Sequence, residues 1–289
     1  MTATLPAMSL HPRAGETAIG ARSEVQPKAE KLELLETAYE LTEFRSFADL
    51  GACWGVDGAY TFHATELCGS ELTRAVIVDG HLTPLTLERA KEVPEVELVQ
   101  ALLGSDQALD AVGKVDALIM YDILLHQVKP DWDEFLLNWL PHTDALIIFN
   151  QNWLKTPRTI RFVDRGLDWY YRNVYVWEDD WNTRARLESW FKRHNERDTD
   201  GRLERDNHWY WQFGIRPLEL VGLLARNGFE LVYMKRHRHA FGRSRPWIVN
   251  DGLIFQRAAY PELGVGGRLR AAARSLAERT GLLERLRRP

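Results

Sequence analysis

Residues 46–60 read SFADLGACWGVDGAY, and this stretch decides the fold. A short apolar run ends in an acid, Asp49, and glycines follow at positions 51, 55 and 58. Glycine permits a tight turn and lets another group come close to the backbone. A turn of this kind between a first strand and its helix lies at the carboxyl edge of a sheet, where ligands bind. The stretch therefore predicts a strand–turn–helix unit with a ligand or another helix against its backbone.

Short apolar strands and amphipathic helices alternate around this unit. A helix precedes it from about residue 27, because leucines and alanines recur there at helical spacing. The remaining predicted strands are RAVIVDG, VELVQALLG, KVDALIMYDILLH and DALIIFNQN, followed late in the chain by FELVYMKRH and DGLIFQR. The predicted helices between them are GAYTFHATELCGSEL, PLTLERAKE, DWDEFLLNWLP and RPLELVGLLARNG. This alternation predicts an α/β fold, with a doubly wound, mostly parallel sheet that helices cover on both faces.

Composition divides the chain into three parts. Residues 1–27 are rich in Pro, Gly, Ala, Ser and Thr and predict a flexible arm. Residues 28–262 form the predicted domain, in which a tryptophan-rich helical insert, 153–212, interrupts the alternation before the last helix and strand pair. Residues 263–289 predict a basic amphipathic helix.

The distribution of charge bears on the class of partner. Residues 263–289 hold seven arginines and two glutamates, a net charge of +5, so the −4 of the whole chain leaves −9 on the other 262 residues. An acidic body argues against a nucleic-acid surface. The basic helix either packs on the domain or contacts an acidic membrane peripherally. With two cysteines and no apolar run long enough for a membrane span, a cytoplasmic location is expected.

The spacing of the glycines separates three classes of ligand. A phosphate-binding Walker loop needs Gly-Lys-Ser/Thr, which this sequence lacks. A dinucleotide fingerprint needs G-x-G-x-x-G, and Cys53 stands where its second glycine belongs. What remains is Asp49-x-Gly51-x-Cys53-x-Gly55, with an acid two residues before the first glycine.

With Asp79 at the end of the second predicted strand, this motif resembles that of the class I S-adenosylmethionine (SAM) dependent methyltransferases, whose first motif is acid-x-Gly-x-Gly-x-Gly. Cys53 departs from that pattern. The resemblance extends over residues 46–152 and 214–257 and implies a seven-stranded sheet of order 3-2-1-4-5-7-6. It also implies that Asp79 binds the ribose hydroxyls and that Asp106, after the third strand, meets the adenine amine. The cofactor residues that it implies are Asp49, Gly51, Cys53, Trp54, Gly55, Asp79, Asp106 and Asp122.

The residue types fit these roles, and each has a structural alternative. One carboxylate holds two ribose hydroxyls well, and the face of Trp54 attracts a sulfonium. Asp49 equally suits a turn that needs its amides satisfied, and Asp106 equally suits a helix cap. Asp122 either touches the cofactor or orients His126.

His126, after the fourth predicted strand, is the first candidate for a general base, since imidazole accepts protons near neutral pH. A histidine packed beneath the next helix is the alternative. His208, in the insert, is a second candidate base. No ligand set with metal spacing is present in the sequence.

The predicted contacts of the acceptor follow the fifth strand. The residues are Asn150, Asn152, Trp153 and Trp177. Amides in a row also make a polar turn, and tryptophans most often bury themselves against a sheet. The expected activity is methyl transfer from SAM to a small-molecule hydroxyl, on a sugar, glycoside or natural product. The alternatives are a nicotinamide-dependent Rossmann enzyme and a methyltransferase-like module that binds without catalysis.

Overall fold

The computed structural model describes residues 27–174, 181–197, 201, 203–206, 208, 210–238 and 246–258. The predicted arm up to Gln26, the predicted tail helix and Trp177 lie outside these residues. Within them, no helix has the length and apolar character needed to cross a membrane.

Helices and strands alternate from α1 to β5, and the structure adds one helix, Asp106–Val112, that was not among the predicted ones. The helices are α1 (Ala29–Thr42), α2 (Ala59–Cys68), α3 (Pro84–Ala90), α4 (Asp106–Val112), α5 (Trp132–Trp139), α6 (Leu167–Asn173), α7 (Trp181–Arg193) and α8 (Pro217–Arg226). The strands are β1 (Ser46–Leu50), β2 (Arg74–Asp79), β3 (Val96–Gln100), β4 (Val115–Tyr121), β5 (Thr143–Trp153), β6 (Ile160–Arg161), β7 (Phe213–Gly214), β8 (Phe229–Arg238) and β9 (Ile248–Arg257).

The large sheet has the order β3-β2-β1-β4-β5-β9-β8. The five strands from β1 to β5 pair in parallel, and β9 is antiparallel to both β5 and β8. The chain numbering runs on to β9 because β6 and β7 form a separate two-stranded sheet. Counted within the large sheet alone, the order is 3-2-1-4-5-7-6, and the predicted α/β class is confirmed.

Two apolar layers hold helices on opposite faces of the sheet. One face packs Leu118 and Leu146 against α5 and α8, and the other packs Ile119 and Ile147 against α1 and α2. Side chains alternate between the two faces along each strand, so strands buried on both faces need apolar residues throughout. This requirement explains the near-continuous apolar runs of β2, β4 and β5.

The fourth strand is shorter than its sequence predicts. It ends at Tyr121, and Asp122 has φ of 57°, a left-handed conformation that turns the chain away from the sheet. Residues Leu124–His126 then form a single 3-10 turn. The apolar residues 123–125 therefore lie at the start of this 3-10 turn and do not extend β4.

The fifth strand is longer than its sequence predicts. Its pairing with β9 continues through Asn150↔Asp251 and Asn152↔Val249 to Trp153↔Ile248. Asn150 and Asn152 therefore lie within the strand, as the predicted segment DALIIFNQN has them, and the prediction that they follow the strand is wrong because antiparallel pairing with β9 continues past them.

Residues of the insert build a third apolar cluster beyond the end of β5. Trp153, Phe162, Tyr170 and Trp190 are buried together there. Trp153 makes edge or tilted ring contacts with Phe162 at 5.0 Å between centroids and with further indole rings. The described tryptophans of the insert are thus part of the apolar core of the insert or pack against it.

Candidate functional site at the carboxyl edge of the sheet

The turn after β1 has the backbone shape that the glycines predict. The backbone φ angles of Gly51, Gly55 and Gly58 are 76°, 67° and 72°, values that residues other than glycine rarely adopt. The Gly51 amide donates to the Val78 carbonyl at 2.7 Å, which ties the turn to the end of β2. A Cβ at Gly51 would collide with the side chain of Ile123. Gly51 is therefore favoured by its left-handed backbone, and a Cβ would also displace the Ile123 methyl group, whether or not a ligand approaches.

Asp49 is buried at the end of β1 and accepts a hydrogen bond from the Thr61 hydroxyl at 2.7 Å. Burial raises the pKa of the Asp49 carboxyl to about 7, against the opposing effects of Thr61 and the Lys31 ammonium. Near neutral pH this carboxyl is therefore divided between its neutral and charged forms. A positive charge brought close would favour the charged form.

Asp79, at the end of β2, faces this turn. One carboxylate oxygen accepts the Cys53 amide at 2.9 Å, and the other accepts the His81 amide at 2.9 Å. Burial raises the pKa of Asp79, and the backbone amides of His81, Cys53 and Gly80 oppose that rise. The group is partly exposed, and an ionised carboxylate offers about four acceptor sites, so Asp79 still has capacity for a hydroxyl donor.

Cys53 fills the position of the middle glycine without breaking the turn. Its side chain is buried, with Sγ 3.5 Å from the Thr86 hydroxyl of α3. Burial, with the nearby Asp79 charge, raises the pKa of the thiol to about 12, so it is neutral. The neighbouring Trp54 is 59% exposed and lies on the surface of the turn.

Asp106 is more exposed to solvent than the other candidate cofactor residues Asp49 and Asp79. It is exposed as the first residue of α4, and the cap of that helix is Ser105, whose hydroxyl accepts the Ala108 amide at 3.3 Å. The alternative of Asp106 as the capping side chain is therefore wrong. Its predicted adenine contact stays a prediction.

Asp122 is paired with a residue that sequence reasoning missed. The Lys31 ammonium of α1 lies 2.8 Å from Asp122 Oδ2, while Asp122 Oδ1 is buried and has no hydrogen-bond partner among the described residues. The charges of Lys31 and Lys28 outweigh the effect of burial and lower the pKa of Asp122. Asp122 is thus a partly exposed carboxylate whose Oδ1 is buried and has no hydrogen-bond partner in the described part of the chain.

His126 is fixed in one tautomer. Its Nδ1 lies 2.9 Å from the Tyr210 carbonyl, which can only accept, so Nδ1 carries the proton. Burial lowers the pKa of His126, so the ring is neutral at pH 7 and its Nε2 has a lone pair. His208 lies beside it and donates from Nδ1 to the His126 carbonyl at 3.2 Å. The structure thus brings both predicted bases together and gives His126 the form that a base needs.

The predicted acceptor contacts on β5 are engaged within the protein. Asn150 donates to Asn152 at 2.9 Å, and Asn152 donates to Asp251 at 2.9 Å. Trp153 is 1% exposed, and its indole N–H donates to Thr156. Asn150 Oδ1 is buried without a hydrogen-bond partner among the described residues. Substrate contacts by these three residues stay predictions. Among the described residues, no group of three His, Cys, Asp or Glu is placed to hold a metal ion.

Comparison with known proteins finds structural likeness only. No family model and no curated protein matches the chain. The N-terminal domain of EvdMO1 with S-adenosylhomocysteine (SAH) bound is 15% identical with a TM-score of 0.47, covering 80% of this chain and 82% of that one. The Burkholderia thailandensis 1,6-didemethyltoxoflavin-N1-methyltransferase is 15% identical with a TM-score of 0.49, covering 80% and 79%. A putative RNA methyltransferase from Pyrococcus horikoshii is 16% identical with a TM-score of 0.43, covering 81% and 86%. Because these identities and scores are low, the case for function rests on the site itself.

Proposed function

We propose that the protein binds SAM at the carboxyl edge of β1, β2 and β4 and transfers its methyl group to a hydroxyl of a small molecule. The observation that carries this proposal is the pair formed by the glycine turn and Asp79. The turn has left-handed glycines next to a partly exposed carboxylate whose two oxygens accept the Cys53 and His81 amides. A ribose with two adjacent hydroxyls fits such a carboxylate. SAM or SAH is also named for several of the similar structures.

The chain's own residues fit the rest of such a ligand. Trp54 offers an exposed ring at the turn, and Asp49 and Asp122 provide negative charge where the positively charged part of SAM would lie. Gly51, Cys53 and Gly55 shape the turn, and Asp106 is the proposed adenine contact. Asp122 Oδ1 is one of the buried acceptors that lack a donor among the described residues.

His126 is the proposed general base. When bound, SAM supplies a methyl group on a sulfonium, and the bond from that methyl to sulfur breaks as the acceptor oxygen takes it. His126 Nε2 accepts the proton that the hydroxyl loses, because Nδ1 is held by the Tyr210 carbonyl. His208 supports this arrangement through its contact with the His126 carbonyl. The aromatic insert favours a sugar, glycoside or natural product as the methyl acceptor. The proposed contacts of this acceptor are Asn150, Asn152, Trp153 and Trp177.

A methyl-transfer assay with matched histidine variants tests this function. Purified protein is incubated with methyl-labelled SAM and a panel of hydroxyl-bearing sugars, glycosides and phenols. We expect label in at least one acceptor, and His126→Asn should lower the rate by about 100-fold or more.

His142→Asn is the control. The His142 ring also forms a hydrogen bond through Nδ1, to the Gly113 carbonyl at 2.7 Å. His142 lies just before β5, however, at the amino edge of the sheet. Equal losses in both variants would remove His126 from the reaction. An absence of transfer together with an absence of SAM binding would remove the function.

A further inference from the structure

Lys31 is a charged residue in a position where a helix of this kind normally buries an apolar one. It is the third residue of α1 and shares its buried stripe with Leu34, Leu35 and Ala38. Its side chain is only 9% exposed. Lysine is rarely buried unless its charge is compensated. The compensation should therefore identify what Lys31 does.

Aromatic rings and a carboxylate surround the Lys31 ammonium. It lies 5.3 Å from the ring centroids of both Tyr60 and Tyr121 and 5.5 Å from that of Phe149. These distances are within the range of cation–π attraction. The Tyr121 hydroxyl also donates to the Lys31 carbonyl at 2.9 Å, which fixes the backbone of α1 over the end of β4. The ammonium is thus held in one place.

This place is the switch point of the sheet, where ligands of doubly wound folds bind. The strand order reverses between β1 and β4. Asp122 directly follows β4 in a left-handed conformation, and its Oδ2 is the partner of Lys31 at 2.8 Å. Its Oδ1 is buried without a hydrogen-bond partner among the described residues. A buried acceptor left in this state is costly, and a donor from a ligand would satisfy it.

Several charged or titratable groups act on Asp122. Lys31 of α1, Lys28 directly before α1, and His126 of the 3-10 turn after β4 each lower the pKa of Asp122 through their charges. Tyr60 approaches from α2. Asp49 interacts with Lys31 from β1. Burial raises the pKa of Asp122, and the Lys31 charge is the largest effect that opposes it.

We propose that Lys31 is a positioning residue of the ligand site, which keeps the Asp122 carboxylate charged and leaves its Oδ1 for an N–H or O–H donor of the bound ligand. Lys31 itself makes no contact with the ligand in this role. The inference rests on the proposed function, because it takes SAM or SAH as the ligand. The amino acid part of both molecules has a charged ammonium. Its first test needs no ligand.

The first experiment measures the ionisation of Asp122 directly. The carboxyl carbon of Asp122 is followed by carbon NMR against pH in the full chain, and its signal is assigned with Asp122→Asn. Lys31→Met keeps the length of the side chain without its charge, and Lys31→Arg keeps the charge. We expect Lys31→Met to raise the pKa of Asp122 by about three units and Lys31→Arg to leave it near the wild-type value. An unchanged pKa in Lys31→Met would overturn the inference.

The second experiment compares SAH affinity between variants across pH by calorimetry. We expect Lys31→Met to bind SAH at least tenfold more weakly than the wild type at pH 5.5, with the deficit closing towards pH 8 as Asp122 ionises. Lys31→Arg should restore wild-type affinity throughout. A deficit of equal size at every pH would mean a structural role only and would overturn the inference.

The outcomes separate this inference from the proposed function. A wild type that binds neither SAM nor SAH ends the proposed function, while the NMR titration still decides the role of Lys31. If Lys31→Met does not fold, Asp122→Asn replaces it in calorimetry at pH 7. At least a tenfold loss of SAH affinity is then expected, and wild-type affinity would overturn the inference.

Discussion

Two carboxylates at the same edge of the sheet, Asp79 and Asp251, have opposite surroundings. Asp79 accepts two backbone amides and stays partly exposed. Asp251 is fully buried, and its two oxygens accept from Arg236 at 2.7 and 3.0 Å and from Asn152 at 2.9 Å. A polar residue at a strand end therefore indicates a ligand site only where its hydrogen-bonding capacity is left open. By this criterion Asp79 is a candidate ligand group, whereas Asp251 is part of the structure.

The largest effect should come from the structural side. Trp153→Ala removes a fully buried indole from the cluster of the insert and should cost about 3–5 kcal/mol of the free energy of unfolding. The measurement is urea unfolding followed by circular dichroism. Trp54→Ala is the matched control, because its ring is exposed, and it should cost less than about 1 kcal/mol. Equal losses would erase the distinction between the two regions.

Arg236→Met should destabilise the protein by about 3 kcal/mol, because it leaves the Asp251 carboxylate buried without its cation. Asp251→Asn should cost less, since the Arg236 side chain is 44% exposed and water can solvate the charge left behind. Urea unfolding of both variants at pH 7 measures the difference. The reverse order of the two losses would contradict this account of the network.

Asp49→Asn should change how stability depends on pH. The folded-state pKa of Asp49, about 7, lies above its ordinary value of 3.8, so the folded state binds the proton more tightly than the unfolded state. Asp49 therefore makes the wild type lose stability as pH rises from about 4 to about 7. Relative to the wild type, the variant should gain on the order of 2 kcal/mol between pH 4.5 and pH 8. Unfolding curves of both proteins at several pH values give this gain, and a constant difference would show that Asp49 keeps its ordinary pKa.

The smallest effect should come from the unusual residue of the motif. Cys53→Ala keeps the backbone amide that Asp79 accepts and removes only a buried thiol that is neutral. SAH affinity measured by calorimetry should stay within about twofold of the wild type. Gly51→Ala is the contrasting variant, since its Cβ would strike Ile123 and its φ is 76°. A Cys53→Ala variant that binds much more weakly would place the thiol in the site.

The sequence predicts the parallel sheet well because each strand is buried on both faces and must be apolar. It does not predict where β4 ends, since Asp122 turns the chain inside a run that stays apolar. The predicted segment DALIIFNQN includes Asn150 and Asn152, but only the pairing with the distant β9 shows that they belong to the strand and do not begin a loop.

Of the candidate site, the sequence predicts the glycine turn, Asp79 and His126 from local patterns. Lys31 was missed because its partner Asp122 is 91 residues away in the chain. A signal was nevertheless present, since a lysine on the buried stripe of α1 needs a partner for its charge. Spacing within one helix shows that a partner must exist, and only the fold identifies it.

The most direct test of the central claim compares two acids with the same backbone contacts at opposite edges of the sheet. Asp79 accepts two amides at the carboxyl edge, and Asp116 accepts the Arg45 and Ser46 amides at 2.9 and 2.8 Å at the amino edge. SAM and SAH binding to the wild type, Asp79→Ala and Asp116→Ala is measured by calorimetry. We predict micromolar binding that Asp79→Ala weakens by about tenfold or more and that Asp116→Ala leaves within about twofold. A folded wild type that binds neither ligand, or equal weakening by both variants, would contradict the account.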